Sequence, residues 1–128
     1  MEAHILVVDD DPVIRHVLSA VLGSDGYRVT LASGGEEALR AANASPPDLV
    51  VVDAMMDGMD GYEVCRRVRA GTSAGSPPYV LLLTASASTV DGARAAAAGI
   101  DAVVAKPVDA PGLLARVRQA LSGRQGGP

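Results

Sequence analysis

The strongest constraint on this chain is a set of short apolar runs that each stop at a polar residue. Ile5-Leu6-Val7-Val8 stops at Asp9-Asp10-Asp11, Leu49-Val50-Val51-Val52 stops at Asp53, and the run from Tyr79 to Leu83 stops at Thr84. A strand with one wet face alternates apolar and polar residues. A run without that alternation needs cover on both faces, as in a parallel sheet flanked by helices.

The segments between the runs read as those helices. Val13, Ile14, Val17, Leu18, Val21 and Leu22 recur at helical spacing. Pro12 suits the first turn, Asp11 the N-cap, and Gly23 and Gly26 the end. Tyr27 to Ala32 reads as a short strand and Gly35 to Ala42 as a short helix broken by Pro46-Pro47. A loop from Ala54 to Asp60 leads into a helix carrying Tyr62, Val64, Cys65 and Val68, and residues 71–78 read as a flexible connection. An alanine-rich helix is expected from Thr89 to Ala98, closed by Gly99. Ala102 to Ala105 is the last strand, and Leu113, Leu114, Val117, Ala120 and Leu121 mark the final helix.

Five β-α units in series predict an α/β fold: a parallel five-stranded sheet between two helical layers, a three-layer sandwich with right-handed crossovers. The expected order is the flavodoxin-like 2-1-3-4-5, which places the reversal of strand order between strands 1 and 3. Ligands of such sheets bind at the carboxyl ends of the strands, at that reversal. A length of 128 residues suits one domain. It is expected to span residues 4–122, with 123–128 a flexible tail or the start of a linker.

Strand 1 then delivers Asp9 and Asp10, strand 3 Asp53, strand 4 Thr84 and strand 5 Lys106, all to one edge. Two like charges ~5 Å apart at an effective dielectric of ~20 repel by roughly 3 kcal/mol. Three carboxylates gathered there must retain a proton or take up a cation. Oxygen ligands select a hard divalent ion, Mg²⁺ (or Mn²⁺), which also neutralises a phosphoryl group. With such an ion bound, Asp53 can act as nucleophile, while Lys106 and Thr84 hold phosphoryl oxygens. Lys106 stands out for a second reason: the other ten basic residues are all arginine.

Composition removes other classes. A net charge of −4 and only three aromatic residues argue against direct nucleic-acid binding. No apolar run approaches the ~20 residues of a membrane span. The first residues lack a basic segment ahead of an apolar one, so the expected location is the cytoplasm. Cys65 is the only cysteine, which leaves no intramolecular disulfide. Cys65 reads as helix core, and Met55, Met56 and Met59 as loop packing. His4 and His16 read as surface or satisfied structural residues.

The chain closely resembles the response-regulator receiver family over roughly residues 4 to 122. The matching stretches are Ile5 through Pro12, Asp53 with Met59-Asp60-Gly61, Leu82-Leu83-Thr84-Ala85, and Ala98 through Ala102 leading to Lys106-Pro107. The resemblance implies a two-component phosphorelay. In it Asp53 takes a phosphoryl group from a sensor histidine kinase or phosphotransfer protein and then alters binding to a downstream effector protein or domain. It implies that Asp10 and Asp53 bind the metal by side chain, Met55 by its backbone carbonyl and Asp9 through water, with Thr84 and Lys106 sensing the phosphate. It implies a phosphoacceptor rather than an enzyme, and a phosphorylation-dependent homodimer as one form.

Three positions depart from the family pattern. Asp57 stands where proline is usual, Val103 where an aromatic is common, and Val108 where Phe is common. Asp57 and Val103 keep open a receiver-like docking or dimerisation module that works without phosphorylation. An aspartate-nucleophile phosphatase is the enzymatic rival, but it needs an acid two residues after the nucleophile, where this chain has Met55. A flavodoxin needs a hydroxyl-rich phosphate loop where this chain has three aspartates.

Overall fold

The computed structural model describes residues 3–71, 77–85 and 90–125. The elements run β1 (His4–Val8), α1 (Pro12–Ser24), β2 (Arg28–Ala32), α2 (Gly35–Ala44), β3 (Leu49–Asp53), α3 (Gly61–Ala70), β4 (Tyr79–Thr84), α4 (Gly92–Ala98), β5 (Ala102–Ala105) and α5 (Ala110–Gln125). The strands form one parallel sheet in the order β2-β1-β3-β4-β5, as expected.

The period of two along a strand divides the apolar runs between two cores. Leu6, Val8, Val50, Val52, Val80 and Leu82 face one way and pack with Ala38, Val64, Cys65, Val68 and Ala98 of α2, α3 and α4. Ile5, Val7, Leu49, Val51, Leu81 and Leu83 face the other way and pack with Leu18, Leu22, Leu113, Val117 and Leu121 of α1 and α5. That double cover is why the central runs carry no alternation.

Local chemistry sets the helix ends. The Asp11 carboxylate accepts from Val13 N–H at the start of α1. Gly99 closes α4 in the left-handed region at φ 84°, a conformation that suits glycine. Several boundaries differ from the sequence expectation. Gly23 lies inside α1, which ends at Ser24 with Asp25 as C-cap, and Gly26 takes the positive φ of 90° that follows. α2 runs on to Ala44 before the Pro46-Pro47 break.

α4 begins at Gly92 rather than Thr89. Asp91 caps it by accepting from Arg94 N–H, and a residue used as a cap is no longer helical. Thr89 lies outside the described residues, as do residues 72–76 of the expected connection. α5 continues to Gln125, so residues 123–125 are helical rather than tail, and 126–128 lie outside the described residues.

His4 is buried at the opposite edge of the sheet, with Nε2 2.7 Å from Thr30 Oγ1. His16 is exposed and Cys65 is core. Met56 and Met59 pack against the α2–α3–α4 side of the sheet. Met55 does not; it is 77% exposed, because the chain leaves the sheet after the buried Ala54 and turns it to solvent.

Candidate functional site

The carboxyl ends of β1, β3, β4 and β5 converge as the topology requires. Asp9 follows β1 directly and is 1% exposed. Its N–H donates to Ala32 C=O at 3.1 Å, extending the β1–β2 ladder by one residue. Its Oδ1 accepts from Asp11 N–H at 2.9 Å. Asp53 is the last residue of β3 and is also buried, whereas Asp10 is exposed. Oxygens of Asp9, Asp10 and Asp53 all lie within 4.8 Å of one another.

Lys106 follows β5, and its N–H donates to Thr84 C=O at 2.7 Å, tying the ends of β5 and β4 together. Its peptide bond to Pro107 is cis. From there Nζ reaches between two carboxylates, 3.3 Å from Asp53 Oδ2 and 3.5 Å from Asp9 Oδ2. Thr84 is buried as the last residue of β4. Met55 N–H donates to Asp53 Oδ1 at 3.3 Å. Asp57 is exposed in the loop.

The electrostatics follow. Burial pushes the Asp9 carboxyl above its ordinary value, and the Asp53 charge pushes the same way. The Asp11 N–H and the Lys106 ammonium oppose them but do not prevail. One ammonium against three carboxylates leaves an excess of negative charge in a largely buried place. Oxygen donors so arranged fit a hard divalent cation.

Gly61 shows how closely the loop is set against the site. A Cβ there would fall within the radius of the Asp53 carbonyl oxygen and 3.0 Å from Ala54 Cα, so only glycine lets α3 begin here. Asp60 caps α3 by accepting from Glu63 N–H. Val103 is half-buried on β5 against the α2–α3–α4 core, and Val108 packs on the opposite core.

Two features escaped the sequence reading. Arg15 Nη1 donates to the Asp9 carbonyl at 2.7 Å. An arginine one turn into the helix behind the aspartates was the available signal, but on sequence it reads as a solvated helix residue. The second is a polar cluster that joins α3 to α4. Arg94 lies 4.6 Å above the Tyr62 ring and 2.7 Å from Asp60 Oδ2, and Tyr62 Oη accepts from Asp91 N–H at 3.2 Å.

Comparison with known proteins adds to this geometry. A family model described as the response regulator receiver domain matches residues 5–118. The DNA-binding response regulator MtrA of Mycolicibacterium smegmatis is 41% identical over 121 residues, covering 94% of this chain and 51% of that protein. The chain thus spans about half the length of the curated relatives it matches. The chemotaxis protein CheY4 of Vibrio cholerae superposes with a TM-score of 0.87 at 30% identity, covering 94% of this chain and 99% of that one. The receiver domain of the sensor histidine kinase PA1611 of Pseudomonas aeruginosa superposes at 0.84 with 33% identity, covering 95% and 99%. That structure holds a magnesium ion in its active-site cleft. Among the described residues no helix is long and apolar enough to cross a membrane.

Proposed function

Since the chain belongs to the response regulator receiver domain family of two-component signalling, we propose that Asp53 is its phosphoacceptor, taking a phosphoryl group from the phosphohistidine of a sensor histidine kinase or phosphotransfer protein. The observation that carries the reading is the meeting of Asp53 with two further carboxylates and Lys106 at one sheet edge.

A carboxylate oxygen of Asp53 attacks phosphorus. The new P–O bond forms as the P–N bond breaks, and the electron pair leaves with the imidazole nitrogen. Lys106 Nζ, 3.3 Å from Asp53 Oδ2, stands beside the attacking carboxylate. Asp9, Asp10, Asp53 and the Met55 backbone carbonyl are the groups to hold Mg²⁺ (or Mn²⁺), which when bound neutralises charge on the phosphoryl oxygens. Lys106 pairs with one phosphoryl oxygen and the Thr84 hydroxyl donates to another.

The phosphoryl group adds about −1.5 to −2 charge. It biases a conformational equilibrium that exists beforehand, and so changes affinity for an effector protein or domain or for a second copy of the chain. α4 is the element expected to respond, because it buries little apolar surface of its own. The DNA binding in the name of MtrA is not assigned to these residues, whose net charge is −4.

The test is incubation with a small phosphodonor, with and without Mg²⁺, followed by intact-mass measurement. Wild type should gain one phosphoryl group only with Mg²⁺, and Asp53→Ala none. An unmodified wild type overturns the signalling reading, and modification that persists in Asp53→Ala moves the acceptor elsewhere.

A further inference from the structure

Each carboxylate of the cluster must be held where it can serve, and the three are held differently. Asp53 is fixed by its place in β3 and receives the Met55 N–H and the Lys106 ammonium. Asp9 is fixed at every polar atom. Its N–H binds Ala32 C=O, its Oδ1 accepts from Asp11 N–H, its Oδ2 lies by Lys106 and its carbonyl accepts from Arg15. Asp10 is different. It is exposed, and no hydrogen bond to its carboxylate is found among the described residues. Its side chain therefore takes its starting point from the backbone alone.

That backbone hangs on Arg15. The Asp9 carbonyl, the Asp10 nitrogen and both Cα atoms lie in one peptide plane. Whatever fixes the Asp9 oxygen also fixes the direction in which Asp10 Cα leaves it. The Arg15 bond of 2.7 Å is short and charge-assisted. Its donor is anchored, because Arg15 N–H bonds back to Asp11 C=O within the first turn of α1. Asp11 in turn caps that turn and donates to Asp9. The segment from Asp9 to Arg15 is thus closed on itself, and the guanidinium is the clasp. The Ser33 N–H holds the Glu37 carboxyl below its ordinary value, and the Arg15 charge adds to that effect.

We propose that Arg15 is a positioning residue for the cation site: by holding the Asp9 carbonyl it orients the Asp9–Asp10 peptide and sets where the Asp10 carboxylate stands. The proposal rests on reading the three aspartates as that site. It assigns Arg15 no contact with the ion. Groups that orient a ligand from behind typically alter metal affinity by roughly 10- to 100-fold when removed.

Mn²⁺ alone, titrated by electron paramagnetic resonance, provides the test, with metal-free melting curves beside it. Arg15→Met keeps the apolar stem and loses the donor. It should weaken Mn²⁺ binding by roughly tenfold or more. Arg15→Lys, which restores one donor without the fork, should fall between Met and wild type. A merely structural arginine would lower the metal-free melting temperature and leave Mn²⁺ affinity where it was. Affinity in Arg15→Met within about twofold of a binding wild type overturns this inference alone, being far below the loss expected of an orienting group. A wild type that takes up no Mn²⁺ overturns the cation-site reading with it. If Arg15→Met does not fold, Arg15→Gln, whose amide is too short to reach the carbonyl, serves in the same comparison.

Discussion

Gly61 is glycine because the backbone of Asp53 and Ala54 occupies the space a side chain would need. Neither obstacle is a flexible side chain, so Gly61→Ala should cost roughly 3 kcal/mol through overpacking. A urea denaturation curve measures that loss, and phosphodonor labelling should slow as the loop after Asp53 shifts. Asp9 bears on stability through its protonation. Its carboxyl is raised, first by burial, above the ordinary 3.8. A raised acid favours folding fully below its unfolded value, and that contribution is lost as pH climbs through the folded value. At pH 7 the metal-free protein therefore carries a penalty that Asp9→Asn removes. The variant should melt a few degrees higher than wild type there, a gain that shrinks as pH falls toward 4. The positions of Asp9, Asp10, Asp53 and Lys106 were legible in the sequence because charge at the end of a double-sided apolar run has only the sheet edge to occupy. Arg15 was not, since a helix arginine looks the same whether it faces solvent or a carbonyl.

Among the elements, α4 is built with the least to hold it. It has seven residues, mostly alanine, and only Ala98 is buried. Its attachment to α3 combines the packing of Ala98 on the Val64–Val68 core and the Cys65 thiol donating to Ala98 C=O with two polar contacts: the Asp91 N–H on Tyr62 Oη, and Arg94 between the Tyr62 ring and Asp60. A half-exposed ion pair and a cation–π contact are each worth up to about 1 kcal/mol. Arg94→Ala should therefore speed amide exchange across residues 90–98 while moving the global melting temperature by only a few degrees. Slow exchange kept in that variant would show that another contact holds the helix. The existence of this helix was readable from its alanine run and Gly99. Its start was not, because Asp91 could cap as well as continue a helix, and backbone hydrogen bonding decides between the two. The same limit explains Gly23 inside α1 and the extra turn of α5.

Across the whole molecule, the alternation of runs and helices implies a parallel sheet, and the order β2-β1-β3-β4-β5 brings distant residues to one edge. Sequence order says nothing of the gaps between them, and it is the packed sheet that brings oxygens of Asp9, Asp10 and Asp53 within 4.8 Å of one another. Folding therefore concentrates negative charge that the unfolded chain keeps dispersed. A cation bound only by the folded state stabilises it by about 2.7 kcal/mol at a hundred times its Kd. Millimolar Mg²⁺ should accordingly raise the melting temperature, and a chelator should return it. In the folded protein, however, the cluster never waits as a bare hole. The Lys106 ammonium, 3.3 Å from Asp53 and 3.5 Å from Asp9, is a counter-ion on a leash. Its local concentration does not depend on the surrounding salt. An arriving ion must displace or share with a charge that cannot diffuse away, so its uptake is an exchange rather than an addition. The affinity an ion displays is the difference between two attractions, and the exchange frees the lysine that we propose pairs with the phosphoryl group.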